Sequence, residues 1–146
     1  MTDETMPAEE LVALAKSVAL HYALDPALVC AVCEQESNWE PWAIRFEPDF
    51  EERYVAKLHL GPTESIARSI SWGLMQVMGE TAREHGYLGK LAQLCDPETG
   101  LNVGATVLSY KLALARREVA RALELYNGGG NPAYADQVLR RMAKYQ

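Results

Sequence analysis

The stretch Asp25-Pro26-Ala27-Leu28-Val29-Cys30-Ala31-Val32-Cys33-Glu34-Gln35-Glu36-Ser37-Asn38 decides how the chain is read. It opens on an N-cap residue followed by a proline at the first helical position, so a helix starts sharply there and runs to about Ser37. At about 100° per residue, Leu28, Val29, Val32 and Cys33 define its buried stripe. Glu36 projects onto the middle of that stripe, whereas Glu34 projects nearly opposite and reads as an ordinary surface acid. A carboxyl held against apolar neighbours has its charged form disfavoured, so Glu36 is expected to stay protonated near neutral pH and to be able to donate its proton. A leaving glycosidic oxygen requires such a donor. One residue from the helix end, the same side chain also has room to bend out to water, and periodicity alone does not choose between the two.

Outward from this helix, helical signals recur along the whole chain. Leu11, Leu14, Ala15, Val18 and Tyr22 have helical spacing within residues 8–23. Beyond Pro41 the segment from Arg45 to Ser71 is charged and aromatic, with Pro48, Gly61 and Pro62 as breakers. It reads as loops with one short helix near residues 50–58. Gly73 to Gln76 lead into a helix near Glu80 to His85, closed by Gly86. Asp96-Pro97 repeats the cap-and-proline signal and opens a long helix to about Ala115. Another helix is expected over Glu118 to Leu125, stopped at Gly128-Gly129-Gly130. Asn131-Pro132 then starts the last one, with Ala135, Val138, Leu139 and Met142 inward. The expected fold is all-α, a bundle of about six or seven helices.

Composition narrows the function classes. At 146 residues and 49% apolar, the chain suits a single domain spanning residues 1–146 with its own core. No apolar run approaches the roughly 18 to 20 residues of a membrane span. The net charge is −6 and the 14 Lys and Arg are scattered, so no basic stripe tracks a phosphate backbone and nucleic acid is not an expected partner. Met1 to Glu10 is acidic, the opposite of a signal peptide's basic start, so synthesis in the cytoplasm is expected. Three cysteines, Cys30, Cys33 and Cys95, read as reduced thiols. Cys30 and Cys33 have a metal-like spacing, but both fall inside the helix, and further ligands are limited to Cys95 and three separated histidines.

Four blocks carry a resemblance. They are Glu36-Ser37-Asn38 with Pro41 and Ala43; Gly73-Leu74-Met75-Gln76 with Met78, Thr81 and Ala82; Asp96-Pro97 with Asn102, Gly104 and Ala105; and Tyr126-Asn127-Gly128-Gly129 with Tyr134 and Val138. In this order they resemble the lytic transglycosylase family, which shares the goose-type lysozyme fold. The resemblance implies a lysozyme-like helical domain with a substrate cleft, and Glu36 as the single acid and base. It implies that Gln76 hydrogen-bonds the sugar at the cleavage site and that Tyr126 is oriented toward the catalytic carboxyl. It further implies that Asn127 shapes the cleft floor and that Ser37, Met75, Met78 and Tyr134 stand on the substrate side. For the methionines and Tyr134, core packing is an equal alternative.

The departure from the family lies between Ala43 and Gly73, where this chain is longer. The extra residues bring Arg45, Phe46, Glu47, Asp49, Phe50, Tyr54 and His59, material for one wall of a groove or for a second carboxylate, Glu47 first. The family's serine after the first motif has no clear match, since Ile44 and Arg45 stand in its place.

The implied reaction cleaves peptidoglycan glycan strands between N-acetylmuramic acid and N-acetylglucosamine, giving 1,6-anhydromuramic products without metal or organic cofactor. A hydrolytic muramidase using water and Glu47 or Asp49 is the nearest rival, followed by a zinc-binding module or a sugar-binding protein without activity. A monomer is expected. An unexported wall-degrading enzyme needs a route to its substrate, and release through a holin-formed lesion or carriage in a phage virion fits that requirement.

Overall fold

A computed structural model of the chain describes residues 6–146. Half of the acidic start on which the signal-peptide reading rests, residues 1–5, lies outside the described residues. The chain runs through α1 (Ala8–His21), α2 (Pro26–Ser37), β1 (Ile44–Phe46), α3 (Pro48–Phe50), α4 (Pro62–Arg68), β2 (Ile70–Trp72), β3 (Val77–Met78) and α5 (Gly79–Glu84). It continues through α6 (Pro97–Leu114), α7 (Val119–Asn127) and α8 (Tyr134–Arg141), and ends in a 3-10 turn, Met142–Tyr145.

Both cap-and-proline signals work as read. The Asp25 carboxylate accepts from the Ala27 N–H at 2.9 Å, and that of Asp96 accepts from the Thr99 N–H at 3.1 Å. Gly128, at φ +81, ends α7 in the left-handed region, where a side chain would be strained. Helix α2 is the centre of the molecule, packed by α1, α8 and the C-terminal turn. Every residue from Ala27 to Glu34 is buried, so α2 lacks the single apolar stripe expected of it. Helix α6 packs against α1 and α7 and carries Leu101, Ala105 and Leu108 into the same core.

Three expectations change. Glu34 is buried rather than a surface acid, because the C-terminal turn folds over it. Leu139 is 39% exposed rather than inward, whereas Ala135 and Val138 are buried as expected. The Arg45–Ser71 region has helical structure near residues 50–58 as expected, wound as α3 and two tighter or wider turns, but adds a further helix, α4, and two strand ends where loops were expected. β1, β2 and β3 form a small antiparallel sheet in that order, with Arg45 opposite Ser71 and Trp72 opposite Val77. Strands this short cannot display the two-residue alternation that marks a strand in sequence. After α3 the chain winds through a π-helical turn, Glu51–Val55, and a 3-10 turn, Ala56–Leu58, before α4. Buried Val55 pins this excursion to the body, and Glu64 of α4 accepts from both Arg68 and Arg83 at 2.8 Å, fastening α4 to α5.

Candidate active site

Glu36 sits in the last turn of α2, next to the Asn38 cap, whose left-handed backbone (φ 49) turns the chain away. The residue as a whole is half-buried. Burial pushes its pKa up to about 7, opposed by the hydroxyl of Tyr134 beside it. That hydroxyl is buried and finds no hydrogen-bond partner within ordinary bonding geometry, so Tyr134 neighbours Glu36 without being committed to another group. Burial, and then the charge of Glu36, also hold the Tyr126 phenol well above its usual range. Tyr126 donates to the Met75 carbonyl at 2.6 Å, which fixes its ring. Tyr126, Tyr134 and Glu36, brought from α7, α8 and α2, therefore share one neighbourhood.

The link between β2 and β3, Gly73 to Gln76, is the other half of the site. Gly73 has φ +73, and a Cβ there would stand 2.3 Å from the Leu94 carbonyl oxygen, so only glycine fits. The Gln76 amide donates to the carbonyls of Ala43 (2.8 Å) and Gly73 (2.9 Å), and its oxygen accepts from the Ser71 hydroxyl (2.9 Å). Both of its N–H groups are thus spent on bracing the turn, which leaves a ligand one acceptor position rather than a donor. The Ser37 hydroxyl faces the carbonyls of Cys33 (2.9 Å) and Leu74 (2.8 Å), tying the end of α2 to the same turn.

A groove of about 730 Å³ runs past this turn. Arg45, Glu47, Asp49, Phe50, Arg53 and Tyr54 contribute from the longer segment, Gln76, Met78 and Thr81 from the hairpin and α5, and Lys111 from α6. Tyr126, Asn127 and Asn131 add to the lining. Glu47 is paired with Arg45 at 2.9 Å. The Asn127 amide, with its oxygen turned inward, accepts from the N–H groups of Gly130 (3.1 Å) and Asn131 (2.9 Å) and so shapes the turn it belongs to.

Of the residues named from sequence, Met78, Gln76, Glu47, Tyr126 and Asn127 line the groove, whereas Glu36 and Tyr134 are not in its lining but neighbour Tyr126, which is. Ser37 and Met75 do not line it. Met75 is completely buried, its side chain filling the space that Gly104 leaves open on α6, so of the two readings of Met75 it is core packing that holds. Sequence reasoning missed Arg53 and Lys111, which carry no motif, and quoted Thr81 in a motif block without giving it a place in the site. It also missed the grip on Glu34 by Lys144 (2.8 and 2.9 Å), Tyr145 (2.6 Å) and Arg141. The paired Arg140, Arg141 and Lys144 near the C-terminus were the available signal. Among the described residues no group of three or more His, Cys, Asp or Glu side chains converges as a metal site. Cys30, Cys33 and Cys95 are free and buried.

The family model for the transglycosylase SLT domain matches residues 13–144, a span holding the whole of α2, the hairpin, α7 and α8. No curated protein and no solved structure matches the chain. With nearly its whole length matched and a lysozyme-like helical architecture around the groove, the chain belongs to the transglycosylase SLT domain family, enzymes that cleave peptidoglycan.

Proposed function

We propose that the chain cuts the bond between N-acetylmuramic acid and N-acetylglucosamine with Glu36 as its single acid and base. The observation that carries this reading is the state of Glu36: a carboxyl raised to about 7 by burial, beside a tyrosine hydroxyl with no other partner and a neighbour of Tyr126, which lines the groove. Protonated Glu36 gives its proton to the leaving glycosidic oxygen, and the bond to the anomeric carbon breaks through an oxocarbenium-like state. The resulting carboxylate then takes the proton of the muramic acid 6-hydroxyl, whose oxygen closes on the anomeric carbon. The product is a 1,6-anhydro sugar, no water is consumed, and Glu36 ends protonated as it began.

Tyr126 and Gln76 act as positioning residues, through the Met75 carbonyl and the Gly73 turn. Asn127 holds the groove floor, and Met78 and Glu47 meet the strand. A hydrolytic outcome is the second reading, because Glu47 and Asp49 both line the groove and offer a carboxylate to hold a water. Turbidity of a suspension of purified sacculi tests the assignment. It should fall on adding the protein and stay constant with Glu36→Gln, which keeps the shape but cannot carry the proton. Clearance by that variant at more than a few per cent of the parent rate would remove Glu36 from the chemistry.

A further inference from the structure

The excursion between β1 and β2 puts two aromatic rings into the groove. Phe50 closes α3 and Tyr54 lies on the π-helical turn, with their ring centroids 5.0 Å apart and their planes inclined by 53°. Both line the groove, and Tyr54 is 50% exposed although its neighbour Val55 is completely buried. The turn is thus anchored from beneath by Val55 while its aromatic surface is kept open. Single π-helical turns are frequent at functional sites, where the extra residue re-aims side chains.

The chemistry around the rings is mixed in a particular way. Arg53 and Asp49 line the same groove, and among the described residues neither has an ion-pair partner. A pyranose ring has an apolar face of C–H groups and a rim of hydroxyl, ring-oxygen and N-acetyl groups. The negative face of an aromatic ring suits the first, and a guanidinium with a carboxylate suits the second. An apolar ligand would leave Arg53 and Asp49 unused.

We propose that Phe50 and Tyr54 form a stacking platform for one saccharide unit of the glycan strand, with Arg53 and Asp49 bonding its rim. This subsite rests on the glycan-cleaving function proposed above and adds to it a strand-holding wall supplied by the longer segment. Its contribution is to binding, so removing it raises KM more than it lowers kcat.

The test measures binding of the N-acetylglucosamine hexamer, and of glycan strands stripped of peptide, to the Glu36→Gln protein by titration calorimetry. Adding Tyr54→Ala or Phe50→Ala should weaken both by about ten-fold. Tyr54→Leu should weaken them similarly, because it keeps bulk without a π-face, and Tyr54→Trp should retain the parent affinity. Should Phe50→Ala fail to fold, as read from its thermal melt, the Leu and Trp variants at half-exposed Tyr54 carry the comparison. Parent-like binding by Tyr54→Ala and Tyr54→Leu, within about two-fold, would overturn the platform while leaving the cleavage reaction standing. Failure of the Glu36→Gln protein itself to bind either probe would overturn both.

Discussion

Glu34 and Glu36 stand two residues apart on α2, and their surroundings push their pKa values in opposite directions. Burial would raise Glu34, but hydrogen bonds from Lys144, Tyr145 and Arg141 outweigh it and pull the carboxyl down to about 2. Glu36 meets burial with only the Tyr134 hydroxyl against it and rises to about 7. Two carboxylates of one helix thereby separate into a permanent anion that fastens the C-terminal turn and an acid able to release its proton near neutrality.

From this follows a pH profile. Glu36 must be protonated to begin the reaction, so kcat/KM should fall as pH rises through about 7. The Tyr134 hydroxyl lowers the Glu36 pKa, so Tyr134→Phe should move that alkaline limb to higher pH. An unmoved limb in a folded Tyr134→Phe variant would mean that the two groups do not interact.

Glu34 governs stability instead. Its folded pKa lies below the ordinary carboxylate value of 4.5, so its contribution is present above about 4.5 and is lost as pH falls toward about 2. Glu34→Ala should cost about 2 kcal/mol at neutral pH. That is less than a fully buried pair would cost, because the Arg141 and Lys144 side chains are 38% and 61% exposed. Thermal melts should show a Tm lower by roughly 4–8 °C at pH 7, with the gap to the parent narrowing below about pH 4. A constant gap across that range would contradict the ionic origin of the grip.

How much of this was legible in the sequence depends on what each residue announces locally. Asp25-Pro26 and Asp96-Pro97 fix two helix starts through rules that operate within a few residues, and both are found as read. The burial of Glu36 was legible because its position on the helix sets it against apolar neighbours. Glu34 was misread because its partners lie more than a hundred residues away, and a helix wheel shows only one helix. The Gln76 side chain is bonded to backbone carbonyls, which have no sequence identity, so its bracing role could not be seen beforehand. The short strands and the π-helical turn lie below the length at which periodicity speaks.

Gln76→Glu tests the bracing role. The carboxylate would place an oxygen against the carbonyls of Ala43 and Gly73 where an N–H now donates, so the variant should lose most wall-clearing activity and also lower Tm. A melt equal to the parent's would return Gln76 to a pure sugar contact.

Gly104→Ala reaches the site through the core. The added methyl would stand 2.3 Å from Met75 Sδ and 2.7 Å from its Cβ, an overlap that a flexible tip alone cannot relieve. A loss of about 1–3 kcal/mol is expected. Activity should fall further than stability explains, because the displaced Met75 carbonyl holds Tyr126. Full activity at temperatures where the variant is folded would show that Tyr126 does not depend on that carbonyl.

The most direct test of Glu36 as sole acid and base is the mass of the muropeptides released from purified peptidoglycan. Muramic acid ends lighter by one water than hydrolysis products are expected, because the 6-hydroxyl rather than a water attacks the anomeric carbon. Products carrying only reducing ends would contradict that route and make a water, held by Glu47 or Asp49, the nucleophile.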